Sequence, residues 1–161
     1  MTRSHHAHVT TQFGPRAEAY VASPVHASGA DLDRLERIAS GARPARALDL
    51  GTGGGHVAYR LAAHAGQVVA CDLSPQMLAA VAATARARGL QNIATQVAPA
   101  EALPFGDGAF DFVACRFSAH HWRDFEAGLR EDGGCWHLVA RQCLSMRFHR
   151  VGPRWIRICR R

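Results

Sequence analysis

The chain has 161 residues, of which 48% are hydrophobic and 20% charged, a composition typical of one globular domain with a core of its own. It contains no run of about 18 apolar residues and begins without the apolar core of a signal peptide, so we expect a cytoplasmic protein with no membrane span. Its five cysteines form no CxxC pair and no zinc spacing, so we expect free thiols and no bound metal.

The formal net charge of +6 is confined to the last thirty residues. Residues 1–131 contain twelve arginines and twelve acidic residues, whereas residues 132–161 contain seven arginines and one acidic residue. A basic segment can indicate nucleic-acid binding, but this charge follows no helical or strand periodicity, so no nucleic-acid partner is expected. We therefore predict a loose N-terminal tail at 1–12, a folded domain at 13–131 and an atypical basic tail at 132–161.

The predicted elements alternate between helices and strands. Phe13, Ala17 and Tyr20 recur at helical spacing, and an amphipathic helix is predicted over residues 31–40. Further helices are predicted at residues 56–65, 74–88 and 124–131, and apolar strands around residues 48–50, 67–71, 92–97 and 110–115. This alternation predicts an α/β fold, a Rossmann-like doubly wound parallel sheet with all strand carboxyl ends at one edge, where ligands bind.

A glycine-rich turn follows the first predicted strand and opens the next helix. Glycines let the backbone approach a ligand closely, and the start of a helix offers unpaired N–H groups. A dinucleotide site of the G-x-G-x-x-G type needs a small residue at the third glycine position, where this chain has His56. The sequence instead reads D-x-G-x-G-x-G from Asp49 to Gly55, and a carboxylate before the turn suits a ligand that carries an ammonium group.

Acidic and polar residues follow the other predicted strands. Asp72 ends the second strand, where a carboxylate can accept hydrogen bonds from both hydroxyls of a ribose. The alternative for Asp72 is a cap of the following helix. Ala100 and Glu101 follow the third strand, and residues 115–122 follow the fourth. These segments should meet at one edge of the sheet.

Five ordered motifs carry a family resemblance. They are ALDLGTGGG at 47–55, CDLSPQML at 71–78, AEALPF at 100–105, FDFV at 110–113 and CRFSAHHW at 115–122. The set resembles the class I S-adenosylmethionine-dependent methyltransferases, most closely the type 11 subgroup named for ubiquinone and menaquinone biosynthesis. The resemblance covers roughly residues 13–131 and implies a sheet that is C-terminally incomplete, with about four of the family's seven strands.

The resemblance implies S-adenosylmethionine as the cofactor and a small-molecule methyl acceptor. Asp49 would help to hold the amino group of the cofactor, Asp72 would take its ribose hydroxyls, and Tyr20 would close over it. The full set of implied cofactor contacts is Tyr20, Asp49, Gly51, Thr52, Gly53, Gly55, Asp72, Leu73, Met77, Ala100, Glu101, Arg116 and Phe117. Many relatives carry Asp where this chain has Pro99, so a hydrogen bond from that position to the adenine amino group is not expected.

The implied reaction is in-line displacement at the sulfonium methyl group. The protein mainly supplies proximity and alignment, and a general base is needed only if the acceptor must lose a proton. His120 and His121 are candidates for that base, and the alternative is packing or solvent exposure in the loop after the fourth strand. A nucleotide-dependent oxidoreductase of the NAD type and an inactive truncated methyltransferase fragment are the alternative functions.

Residues 132–161 allow two interpretations. In the first, Gly133 and Gly134 form a shortened turn and residues 136–140 a surrogate fifth strand. In the second, the reading frame changes near Glu131, because codons can be chosen so that a frame two bases later encodes W-R-V-L-A-P-G-G-T-P-V-F-V-D-A-F. That sequence resembles the missing helix end, turn and fifth strand of the family.

Overall fold

A computed structural model describes residues 5–130, which build a four-stranded parallel sheet in the order β3-β2-β1-β4. The strands are β1 (Arg46–Leu50), β2 (Gln67–Asp72), β3 (Ile93–Val97) and β4 (Phe112–Ala114). In register, Leu48 of β1 lies opposite Val69 of β2 and Val113 of β4. The predicted parallel α/β sheet is confirmed, and the strand order reverses between β1 and β4, where ligands bind in folds of this type.

Seven α-helices are described in residues 5–130. They are α1 (His5–Phe13), α2 (Ala17–Val21), α3 (Pro24–Ala27), α4 (Ala30–Ala42), α5 (His56–Ala62), α6 (Pro75–Ala87) and α7 (Phe125–Arg130). Short 3₁₀ helices lie at Gly14–Arg16 and Ala119–His121. The predicted helices at 31–40, 56–65 and 74–88 correspond to α4, α5 and α6. The Ser74 hydroxyl caps α6 by accepting a hydrogen bond from the Met77 N–H at 3.2 Å, and Pro75 occupies its first turn.

The two faces of the sheet are buried at β1, β2 and β4 by different parts of the chain. Val68 and Phe112 belong to the apolar cluster formed with α4, α5 and α6. Leu48 and Val113 belong to a second cluster, which is covered by the segment between residues 98 and 125. Because side chains alternate along a strand, β1, β2 and β4 contribute to both clusters, whereas the edge strand β3 adds only the partly buried Ile93 to the first. Asp49 and the residues after the other strand ends are thereby held on a rigid base.

The N-terminal segment differs from the prediction. Residues 5–12, expected to be loose, belong to α1, and the hydroxyl of Thr10 donates to the His6 carbonyl oxygen at 3.0 Å. The ring of Phe13, at the end of this helix, packs edge-on against Tyr20 and His121 at centroid distances of 5.8 and 4.9 Å. The structure thus describes residues 5–12 as helical, whereas residues 1–4 of the predicted loose tail lie outside the described residues.

Other expectations concern the ends of strands and the thiols. The fourth strand is shorter than predicted, since residues 110, 111 and 115 lie outside β4. Cys71 and Cys115 are buried free thiols, and burial raises the pKa of each to about 12. Within residues 5–130, no helix is long and apolar enough to cross a membrane. The predictions for Glu131 and for residues 132–161, including both interpretations of that segment, lie outside the described residues.

Candidate functional site

A cavity of about 660 Å³ lies at the carboxyl edge of the sheet, beside the point where the strand order reverses. Fourteen of the fifteen residues predicted for the site line it: Tyr20, Asp49, Gly51, Thr52, Gly53, Asp72, Leu73, Met77, Ala100, Glu101, Arg116, Phe117, His120 and His121. The described wall does not include Gly55. Residues that follow four different strands thus meet at one place.

The glycines of the turn are required for different structural reasons. A Cβ atom on Gly54 would lie 2.5 Å from the Tyr20 carbonyl oxygen and 3.0 Å from the Val21 N, so only glycine lets α2 pack on the turn. Gly53 has φ +50°, and a Cβ there would meet no atom of the described residues within 4 Å, so its face of the turn is open. Gly55, the N-cap residue of α5, has φ +82°, and a Cβ there would lie 2.6 Å from the Tyr59 ring.

Asp49 is a buried carboxyl group that ties the turn to the following helix. Its Oδ2 accepts hydrogen bonds from the Thr52 hydroxyl at 2.6 Å and from the Ala58 N–H at 3.0 Å. Burial raises the pKa of Asp49 to about 7, even though those two hydrogen bonds favour the ionised form and the nearby Arg116 also lowers it. The protonated form of Asp49 is therefore stabilised by its burial.

Asp72 is held with both carboxylate oxygens oriented. Oδ2 accepts from the Gly53 N–H and Oδ1 from the Ser74 N–H, each at 3.0 Å. Each oxygen keeps a second lone pair, and the residue lines the cavity. The hydroxyl of Ser74 caps α6, while Asp72 accepts a hydrogen bond from the N–H of that cap residue, so the choice between the ribose and helix-cap interpretations of Asp72 stays a prediction. Burial raises the pKa of this carboxyl, against the effect of its backbone hydrogen bonds.

Glu101 lines the cavity and also binds the chain before α7. Its Oε1 accepts hydrogen bonds from the backbone N–H groups of Arg123 and Asp124, the latter at 3.0 Å, and its Oε2 lies 3.6 Å from His6 Nε2. Partial burial would raise the pKa of Glu101, but these backbone hydrogen bonds bring it below its usual range. The carboxylate thus holds the chain just before α7, while the residue borders the cavity. Met77, 2% exposed, and Ala100, 6% exposed, form an apolar part of the wall.

Arg116 lines the cavity and also binds groups of the protein. Its guanidinium points to the N-terminal segment, where it pairs with Asp31 at 2.7 Å and donates to the His26 carbonyl oxygen at 2.6 Å. The following residue, Phe117, has φ +59°, an uncommon conformation for a residue with a bulky side chain. The Phe117 ring lies against the guanidinium, with its centroid 4.3 Å away. Arg116 is thus bound to protein groups although it also lines the cavity.

Aromatic and imidazole rings form a continuous series along the cavity wall. His26 lies between Tyr20 and Phe117, at centroid distances of 5.2 and 5.8 Å, and Tyr20 contacts Phe13. Phe13 in turn contacts His121, whose ring centroid is 3.9 Å from that of His120. His120 is exposed, whereas His121 is partly buried.

Sequence reasoning missed several residues of the wall. These are Phe13, Val25, His26, Leu50, Gly54, His56, Val57, Ser74, Ala98, Ser118 and Trp122. His56, which we used only as evidence against a dinucleotide site, is buried and donates from Nε2 to the Tyr20 carbonyl oxygen at 2.9 Å. Burial lowers the pKa of His56, despite the opposing effect of that hydrogen bond. No local pattern marks this contact, because its two residues are 36 positions apart.

A parallel sheet with a glycine turn, an oriented acid after the second strand and a cavity at the strand-order reversal defines a Rossmann-like cofactor-binding domain. Residues 47–132 match the family described as a methyltransferase domain, and the chain belongs to this family of S-adenosylmethionine-dependent methyltransferases. The family match gives no support to the NAD-type oxidoreductase alternative. The matched residues end at 132, next to the change in composition after Glu131.

The chain is similar to several known proteins. It is 34% identical over 121 residues to the uncharacterized methyltransferase YcgJ of Bacillus subtilis, covering 75% of this chain and 48% of that protein. The YcgJ crystal structure gives a TM-score of 0.60 at 32% identity, covering 63% of this chain and 43% of the other. This chain is also 43% identical over 108 residues to a demethylmenaquinone methyltransferase of Thermus thermophilus, covering 64% of this chain and 49% of that protein. A solved structure of a DhpI–SAM–HEP complex gives a TM-score of 0.62 at 26% identity, covering 85% of this chain and 67% of the other. The chain spans about half the length of these curated relatives.

Proposed function

We propose that this chain binds S-adenosylmethionine in the 660 Å³ cavity and transfers its methyl group to a small-molecule acceptor. The observation that carries the proposal is the convergence of the glycine turn, Asp72 and the segments after β3 and β4 on one cavity. Its volume lies within the range of about 300–1,000 Å³ that is usual for small-ligand sites.

The residues present fit the cofactor. The open face of Gly53 leaves room for the methionyl part, and the remaining lone pairs of Asp72 suit two ribose hydroxyls. The apolar wall at Met77 and Ala100, together with Leu73, suits the adenine ring. A cationic ligand beside Asp49 would favour the ionised form of this carboxyl group. The resulting negative charge would balance the positive charge of a sulfonium or ammonium group.

When bound, the sulfonium cofactor supplies an activated methyl group. The residues of this chain would orient it, exclude water and align the acceptor, which is the main contribution that such a displacement needs. His120 and His121 are proposed to accept a proton from the acceptor where it must lose one, since both line the cavity. The contact between His121 and Phe13 would restrict one of the two imidazoles. The Thermus relative makes demethylmenaquinone an acceptor to test.

Calorimetry tests the cofactor assignment. We expect the protein to bind S-adenosylmethionine and S-adenosylhomocysteine, and to bind them more tightly than NAD. Replacing Asp72→Ala should weaken binding by about 1.5–3 kcal/mol, the scale of hydrogen bonds to a charged group. The matched control is Asp107→Ala, an exposed acid outside the described wall of the cavity. Tighter binding of NAD, or equal affinity in wild type and Asp72→Ala, would contradict the assignment.

A further inference from the structure

The guanidinium of Arg116 is almost fully enclosed by groups of the N-terminal segment. Nε and Nη2 donate to the two carboxylate oxygens of Asp31 at 2.7 and 3.3 Å, Nη1 donates to the His26 carbonyl oxygen at 2.6 Å, and Nη2 to the Ser28 carbonyl oxygen at 3.2 Å. The side chains of Arg116 and Asp31 are 4% and 9% exposed. Four hydrogen bonds from one planar group fix residues 26–31, here called the anchored segment, against the end of β4.

The anchored segment continues directly into the rings that cover the cavity. The imidazole of His26 lies between the rings of Tyr20 and Phe117, and its Nδ1 is 2.7 Å from the Ser23 hydroxyl. Its carbonyl oxygen is the one that Arg116 holds at 2.6 Å. The positions of the Tyr20 and Phe117 rings are therefore coupled to the Arg116 guanidinium through His26.

A second attachment holds the same region from the other side. The Tyr20 carbonyl oxygen accepts from His56 and lies against Gly54 of the glycine turn. Between residues 20 and 31 the chain is thus fastened to the body at both ends, by His56 and by Arg116. Of these two attachments only the Arg116 contact is an ion pair, and a bidentate pair of this kind constrains geometry as well as adding energy.

We infer that Arg116 is a positioning residue for the cofactor: through Asp31 and the carbonyl groups of the anchored segment, it holds Tyr20 and His26 across the cavity. This inference rests on the proposed function, because it explains how the cover of the proposed cofactor site is kept in place. It also replaces the expectation that Arg116 contacts the cofactor directly, since a guanidinium has five N–H donors and four hydrogen bonds already bind this one to protein groups.

The test uses the full chain and S-adenosylhomocysteine as the probe. The double variant Asp31→Asn/Arg116→Gln removes both charges together, so that no unpaired buried charge remains to unfold the protein. If the anchored segment is then docked only about a tenth of the time, the apparent Kd for the probe rises about tenfold. Arg116→Lys is the second variant, because it keeps the charge but cannot reach the same set of oxygens. The matched control is Asp33→Asn, on the same helix, which removes an exposed carboxylate paired with Arg60 at 3.7 Å.

Hydrogen exchange supplies the readout that a general loss of stability would not give. Amides of residues 17–27 should exchange faster in both variants, while amides of β1 and β2 keep their wild-type rates, and saturating probe should restore the protection. Wild-type affinity in the folded double variant would overturn the inference, as would an equal loss in Asp33→Asn. If the wild type does not bind the probe, the proposed function fails instead, and exchange in the free protein still decides whether Arg116 holds residues 17–27.

Discussion

Binding of a cationic cofactor should release a proton from Asp49. Burial places the pKa of this carboxyl at about 7 in the protein without ligand, so at pH 7 about half of the molecules carry the proton. A sulfonium or ammonium group nearby stabilises the carboxylate and lowers its pKa. Binding S-adenosylmethionine should then release about half a proton at pH 7, about nine-tenths at pH 6 and almost none at pH 9.

Titration calorimetry in buffers of different ionisation enthalpy measures this proton release directly. The reference is Asp49→Asn, which lacks the titrating group and keeps the other ionisable residues of the site and the ligand itself. The difference between wild type and variant should therefore follow the Asp49 titration and vanish well above pH 7. Circular dichroism checks that the variant is folded. A difference near zero at both pH 6 and pH 7 would refute the reasoning, because Asp49 would then be ionised before the ligand arrives or would not sense it.

Two further predictions concern the turn and the helix that follow β1 and β2. Gly54→Ala should destabilise the protein by about 1–3 kcal/mol and weaken cofactor binding, because the added Cβ would meet the backbone of Tyr20 and Val21. Urea denaturation measures the change in stability. The control is Gly41→Ala, where the added Cβ meets no described atom within 4 Å. Equal stability of these two variants would contradict the close approach. Ser74→Ala should lower the free energy of unfolding by about 1 kcal/mol, because the α6 cap is lost. The control Ser40→Ala, on α4, should change the free energy of unfolding by less than about half that amount. Equal losses in the two variants would contradict the role of Ser74 as a cap.

The positions of the elements could largely be predicted from the sequence because their signals are local. The apolar spacing of Leu32 and Leu35 places α4, and Ser74 with Pro75 starts α6, since a cap and a proline act within one helical turn. The D-x-G-x-G-x-G turn could be recognised for the same reason, because Gly51, Gly53 and Gly55 all adopt positive φ angles, a local backbone conformation that favours glycine. The shorter β4 and the helix α1 escaped prediction, because strand ends and a weakly amphipathic helix depend on contacts with distant residues.

The use of individual side chains was decided by the tertiary structure alone. Sequence motifs marked Asp49 as a cofactor residue, but only the fold buries it and so raises its pKa to about 7. The motifs also marked Arg116 as a cofactor residue, but only the fold pairs it with Asp31, 85 residues away in the chain. His56 meets the Tyr20 carbonyl oxygen in the same way. Hydrophobic periodicity and motif spacing record the neighbours along the chain, whereas burial and the choice of a hydrogen-bond partner depend on which distant segments pack together.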